Sequence, residues 1–222
     1  MKNIPVSVIE QAYTYESYRT LINDLFADNK TTGTDHSLAM LNYTKLNLSR
    51  MNRLDKRSRL TNNTIGTLAK IDHPVIWLVL TEGWCGDAAQ IVPVLNHLAA
   101  TNDNITLRFI LRDENLAIAD AFLTNGARAI PKVLVLDANT LEVLTTWGPR
   151  PVEMQKMVLD AKAASLATTN QEERKAITKA SANNLHAWYA KDKTKTIQIE
   201  FLAALESRQS AIINTNLVTM KK

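Results

Sequence analysis

Cysteine is almost missing from this chain. One thiol, Cys85, stands in 222 residues, which excludes an intramolecular disulfide and any cysteine-rich zinc site. Glycine and proline are scarce as well. Average usage would give about 15 glycines and about 11 prolines; the chain holds 6 of each, so few tight turns and long helices are expected. Apolar stretches such as Ile71–Leu80 are strand-sized and fall short of the ~20 residues that cross a bilayer, so no membrane partner is expected. The opening Met1-Lys2-Asn3-Ile4-Pro5 has no apolar run of signal-peptide length, and a cytoplasmic protein is expected. Excess charge is small too. The chain carries 26 Lys+Arg against 22 Asp+Glu, and a pI near 9.1 is weak evidence for nucleic acid, which is not expected as a partner.

What is present is an ordinary globular composition, 45% hydrophobic and 22% charged, in a chain long enough to bury a core unaided. The first 70 residues read as helical. In Tyr15–Asp28, Tyr18, Leu21, Ile22, Leu25 and Phe26 recur at spacings of 3 and 4 and make one apolar stripe. Asp35 or Ser37 can cap a second helix, in which Leu38, Leu41, Lys45, Leu48, Met51 and Leu54 fall near one face. Its end is basic: Arg50, Arg53, Lys56, Arg57 and Arg59 against Asp55 alone. No aromatic residues interleave them, so a solvated helix face is the expectation over a phosphate site.

Periodicity changes at residue 74. Pro74–Leu80 is a continuous β-branched and aromatic run, as in a strand buried on both faces. Gly83-Trp84-Cys85-Gly86-Asp87 breaks it. Ala88–Ala100 then reads as a helix containing Pro93, Ile105–Leu111 as a strand, and Asn115–Leu123 as a short helix. Val133–Leu136 and Leu141–Trp147 make a hairpin around Asp137–Thr140, and Pro151–Ala167 is helical. The order β-α-β-α-β-β-α gives a mixed four-stranded sheet. Helices near Gln171–Ala190 and Lys195–Ser210 follow.

Trp84-Cys85-Gly86-Asp87-Ala88 resembles the Trp-Cys-Gly-Pro-Cys active-site loop of thioredoxins, placed as theirs is between a buried strand and a helix. Pro93 matches the kink proline of that helix. Arg128-Ala129-Ile130-Pro131 resembles the segment bearing the family's cis-proline, and Trp147-Gly148-Pro149 sits where the family has a glycine beside the active site. More narrowly, the pattern resembles bacterial thioredoxin-like proteins with helices added on both sides of the core. The resemblance implies a thioredoxin-like α/β/α sandwich over residues 71–167. A helical extension over 1–70 and another over 168–222 would pack with it as one globular unit. It further implies Cys85 as nucleophile, and a substrate surface of Trp84, Gly86, Ile130, Pro131, Trp147 and Gly148. At a helix start, unpaired N–H groups and the helix dipole favour a thiolate, and such cysteines have pKa values of roughly 3.5–7.5.

Two departures matter. The resolving cysteine of dithiol thioredoxins is Ala88 here, and the buried aspartate six residues before the first cysteine is Val79. A dithiol cycle cannot run within this molecule. Asp87, at the motif's proline position, is a candidate proton acceptor or a plain helix-start acid. Arg128 and Arg150 are candidates to stabilise the thiolate, or solvated loop arginines. His36, His73, His97 and His186 show no metal-ligand spacing, and no Gly-x-Gly-x-x-Gly or P-loop occurs, so neither metal nor cofactor is expected. Trp188 and Tyr189 read as core packing of a C-terminal helix.

Two functions stay open. In one, Cys85 forms mixed disulfides with a disulfide-bearing protein or a low-molecular-weight thiol, and an external thiol resolves them. In the other, the apolar rim binds a peptide without redox turnover. A glutaredoxin-like iron–sulfur carrier is disfavoured, since Leu136-Asp137-Ala138-Asn139 stands where that family has a glycine pair. Peroxiredoxin chemistry lacks its Thr-x-x-Cys. The added helices are expected to cover a sheet edge, to build a groove beside Cys85, or to form a homodimer interface.

Overall fold

A computed structural model of the chain describes residues 3–219, with side chains described as far as Ser207. Residues 1–2 and 220–222, the outer ends of the two expected extensions, lie outside the described residues. The elements run α1 (Val6–Gln11), α2 (Tyr15–Ala27), α3 (Leu38–Arg57), α4 (Asn62–Leu68), β1 (Val75–Thr81), α5 (Ala88–Ala99), β2 (Ile105–Leu111) and α6 (Leu116–Ala121). After them come β3 (Lys132–Asp137), β4 (Val143–Trp147), α7 (Val152–Ala167), α8 (Gln171–Asp192) and α9 (Lys195–Thr219).

The sheet order is β2-β1-β3-β4. β1 pairs parallel with β2 and antiparallel with β3, and β4 returns antiparallel on β3 with a bulge at Val135/Leu136. Helices lie on both sides of this mixed sheet, the expected α/β sandwich. The apolar run of β1 is buried at every position, consistent with a central strand covered on both faces.

Caps explain the helix starts. Thr14 and Ser37 accept from Ser17 N and Met40 N at the heads of α2 and α3, and Asn170 accepts from Glu172 N and Glu173 N at the head of α8. Two helices escape the sequence pattern. α1 and α4 have 6 and 7 residues, too few to show a periodic stripe, and α4 contains Gly66 and two asparagines, poor helix formers.

The added segments share the core. Ile4, Tyr18, Met51, Leu68, Leu185, Ile197 and Phe201 belong to the same buried cluster as the strands. Tyr18 stacks on Phe109 at 5.2 Å and its hydroxyl meets Thr81 Oγ1 at 3.0 Å. Phe201 sits edge-on to Trp77 at 4.7 Å and to Trp147 at 5.7 Å. The N-terminal segment also touches both sheet edges. Tyr13 and Phe109 exchange N–H···O bonds of 2.8 Å on β2, and Ile4 N donates to Leu141 O beside β4. Such pairing masks edge groups that would otherwise recruit another chain.

Candidate functional site

The loop after β1 carries the one thiol. Cys85 N donates to Glu82 O at 3.1 Å, and Cys85 O accepts from Ala89 N at 3.1 Å, so the residue is folded into the first turn leading to α5. The N–H groups of Asp87 and Ala88 reach its sulfur. On the opposite side the thiol donates to Ile130 O at 3.4 Å. The Ile130–Pro131 and Gly148–Pro149 peptides are both cis. Gly148, at φ +109°, lies so close that a Cβ there would stand 2.3 Å from Pro131 O. Only glycine fits that approach. Cys85, Ile130, Pro131 and Gly148 are thus gathered in one place from three loops.

The thiol does not behave as the helix-start argument expects. Burial pushes its pKa up to about 12, the negative charge of Asp87 adds to the rise, and the two N–H groups and Arg150 only partly oppose it. Cys85 is 8% exposed. A helix start contributes about 0.3–2 kcal/mol, while removing a charge from water costs several kcal/mol per ion. Desolvation wins, and at neutral pH the sulfur is a protonated thiol.

Asp87 is not a free base. Its Oδ2 accepts from Arg150 Nε at 3.0 Å and Nη2 at 2.6 Å, and its Oδ1 accepts from Tyr189 OH at 2.7 Å. Arg150 also donates to Gln155 Oε1 at 2.7 Å. The carboxylate is buried and its hydrogen bonds come from the loop before α7 and from α8. These contacts tie the head of α5 to the loop before α7 and to the added helix α8. Tyr189, read from sequence as core packing, is a member of the same network. Burial and the adjacent carboxylate push its phenol far above the ordinary tyrosine range.

Arg150 stands beside the thiol and the other candidate arginine does not. Arg128 is exposed and forms a two-pronged pair with Asp120 (Nε–Oδ1 2.6 Å, Nη2–Oδ2 2.8 Å), a local bridge back to α6. Trp147 is likewise turned to other work: it is buried beneath α9 against Phe201, and it hydrogen-bonds Glu200. That leaves it no open rim face. Trp84 remains half-buried, with the Arg112 guanidinium 4.9 Å above its ring. Gly86 is half-buried as well; a Cβ there would lie 3.4 Å from His186 Cε1 and 3.7 Å from Arg50 Nη1. Burial and the nearby Arg50 charge lower the pKa of His186.

One group escaped sequence reasoning. Glu82, three residues before the cysteine, is fully buried. Its Oε1 accepts from Asp113 N at 2.9 Å, Thr32 hydrogen-bonds the carboxylate, and Oε2 has no partner. Burial raises its pKa. The available signal was a lone carboxylate continuing an otherwise apolar strand. No group of three or more His, Cys, Asp or Glu able to hold a metal occurs among the described residues.

The thioredoxin family model matches residues 33–167, more than half of the 222. The chain belongs to the thioredoxin family. The match begins well before the sheet and takes in α3, whose Asn47 reaches the cysteine loop through Gly83 O at 3.0 Å. A crystal structure of a protein of unknown function from Pseudomonas aeruginosa is similar at 19% identity and a TM-score of 0.54, covering 92% of this chain and 98% of that one. An HIV epitope-scaffold structure is similar at 19% identity and a TM-score of 0.50, covering 88% and 99%. These likenesses extend the shared fold across nearly the whole length, added helices included. No curated protein matches. Among the described residues of this thioredoxin-family chain, no helix is long and apolar enough to cross a membrane.

Proposed function

We propose that this thioredoxin-family chain is a thiol–disulfide protein working through Cys85 alone, with its Trp84-Cys85-Gly86-Asp87-Ala88 loop as the reacting segment. The observation that carries this reading is the placement of the sulfur at the head of α5, 3.4 Å from the carbonyl of Ile130 and beneath the N–H groups of Asp87 and Ala88. Deprotonated Cys85 attacks one sulfur of a substrate disulfide. A Cys85–substrate disulfide forms, and the other substrate sulfur leaves as a thiolate. A low-molecular-weight thiol then attacks the substrate sulfur of that mixed disulfide, returning Cys85 and carrying the substrate off as a new disulfide. Each step exchanges one S–S bond for another, so no oxidant beyond the substrate is consumed. The Cys85 proton leaves to solvent, because both oxygens of Asp87 are engaged.

The raised thiol pKa makes this a slow nucleophile at rest. At pH 7 a thiol of pKa about 12 is ionised to roughly one part in 10⁵. An approaching disulfide therefore has to take the place of the Ile130 carbonyl as the sulfur's neighbour. The test is mass spectrometry after incubation with oxidised glutathione across pH 7 to 10. A glutathione adduct at Cys85 whose rate rises with pH is expected.

A second reading is favoured by that same burial: a peptide-binding module without turnover, built on Trp84 and the Ile130–Pro131 loop. Absence of any adduct at any pH, with partner binding intact in Cys85→Ser, is the outcome that selects it.

A further inference from the structure

The basic run at the end of α3, expected from sequence to be a solvated face, borders a cavity of about 500 Å³. Arg53, Arg57 and Arg59 line it from one side. Lys193 and Lys195 face them from the turn between α8 and α9, more than 130 residues further along the chain. Among the described residues, no carboxylate lines the cavity. The two acidic groups nearest in sequence are engaged elsewhere: Asp55 pairs with Arg19 and accepts from Tyr15, and Asp192 accepts from Thr196 N and Oγ1.

Arg19, Arg112, Arg128 and Arg150 each face a carboxylate, whereas among the described residues Arg57, Lys193 and Lys195 have no ion-pair partner. Ser58, also in the lining, is 8% exposed and its hydroxyl has no hydrogen-bond partner. Leu54, Leu60 and the Tyr189 ring supply an apolar wall. The volume falls in the range of small-molecule sites, about 300–1,000 Å³.

We propose that this cavity binds the di- or triphosphate group of a small molecule. Five cations line one cavity with no carboxylate among its lining residues, Arg53 also donating to Gln90 Oε1 and Arg59 to the carbonyls of Lys56 and Ser58; this set suits a compact polyanion, and guanidinium forks match phosphate oxygens in paired hydrogen bonds. The unpartnered Ser58 hydroxyl supplies a further polar contact, and the apolar wall accommodates an organic moiety. The site lies one side chain from the cysteine loop, since Tyr189 lines it and donates to Asp87 at 2.7 Å. The proposal does not rest on thiol exchange, because none of its contacts involves the sulfur.

Calorimetric titration of the full chain with sodium triphosphate, ATP, adenosine and sulfate at matched ionic strength tests it. Saturable binding of triphosphate and ATP is expected, with none for adenosine or sulfate. Arg57→Ala combined with Lys195→Ala should weaken triphosphate by at least about tenfold, with the unliganded melting temperature unchanged because both residues are exposed. Arg57→Lys with Lys195→Arg should retain binding and so separates lost charge from lost fold. Tighter binding of ATP than of triphosphate would place the organic moiety on the apolar wall and support the proposal. Binding of adenosine equal to ATP, an unaffected Ala variant, or no binding of either phosphate overturns it. Saturable binding of a single-stranded RNA without binding of triphosphate overturns it in favour of a nucleic-acid face.

Discussion

The Asp87 carboxylate and the Arg150 guanidinium meet through two hydrogen bonds, at 3.0 and 2.6 Å, two residues from the only sulfhydryl in the chain. Both side chains are largely out of water, 8% and 14% exposed. The pair does two things at once. It ties the loop before α7 to the head of α5, and it sets opposing charges beside Cys85.

Asp87→Asn separates those effects. Removing the negative charge leaves Arg150 buried without its counter-ion, and breaking a buried pair in this way costs about 3–5 kcal/mol. The same change removes the second-largest cause of the raised thiol pKa and leaves the opposing Arg150 charge in place. Denaturant unfolding should therefore show a loss of stability, while alkylation of the single thiol as a function of pH shows its pKa falling. A variant with lowered stability and an unmoved alkylation profile would contradict the electrostatic account.

The protonated thiol also makes stability depend on alkaline pH. Its pKa is about 12 in the folded chain, against 9.0 for a free cysteine. Between those values the unfolded chain loses a proton that the folded chain keeps, so stability falls as pH rises through that window, by up to about 1.4 kcal/mol per pH unit. Tyrosines titrate in the same range. The quantity to measure is therefore the difference between the wild type and Cys85→Ser, which should be level below pH 8 and should move against the wild type above pH 9. A flat difference up to pH 11 would mean the sulfur is well solvated.

α9 should behave as core. Phe201 is fully buried and carries the edge contacts to Trp77 and Trp147. Phe201→Ala removes both contacts and leaves a void beneath the sheet, with an expected cost of about 3–5 kcal/mol. For a chain of this size that corresponds to a fall of roughly 6–20 °C in melting temperature. A melting temperature within 2 °C of wild type would show that the C-terminal helix is dispensable to the fold.

Which features were legible follows from their range along the chain. The unbroken apolar run of β1, the stripe of α2 and the order of elements are local patterns, and the sheet followed from them. The site was only half legible. Cys85 and the Ile130–Pro131 segment could be singled out through the resemblance of Trp84–Ala88 and Arg128–Pro131 to the thioredoxin active-site loop and cis-proline segment. The sign of the thiol's pKa could not be, since it turns on how tightly loops from residues 130 and 150 close over the sulfur. The fates of Arg128 and Trp147 were hidden for a similar reason. Asp120 captures one, and Phe201, 54 residues away, covers the other. Tyr189 looked like packing because nothing in sequence links it to Asp87, 102 positions earlier.

Gly148 holds the site together through the one contact that admits no side chain. Its φ of +109° is a conformation that L residues rarely adopt, and a Cβ would stand 2.3 Å from Pro131 O, a backbone atom with little freedom to retreat. Gly148→Ala must either adopt a strained backbone, at about 1–3 kcal/mol, or push the two loops apart. Both routes lower stability. The second also opens the space between Ile130 O and the sulfur, so the Cys85 thiol should become better solvated and its pKa should fall. Urea unfolding and the pH profile of thiol alkylation, measured on the same preparation, distinguish the routes: strain alone lowers stability and leaves the profile in place, whereas loop separation moves both. An alanine variant as stable as the wild type would mean that the Pro131 and Gly148 loops do not approach as closely as the structure has them.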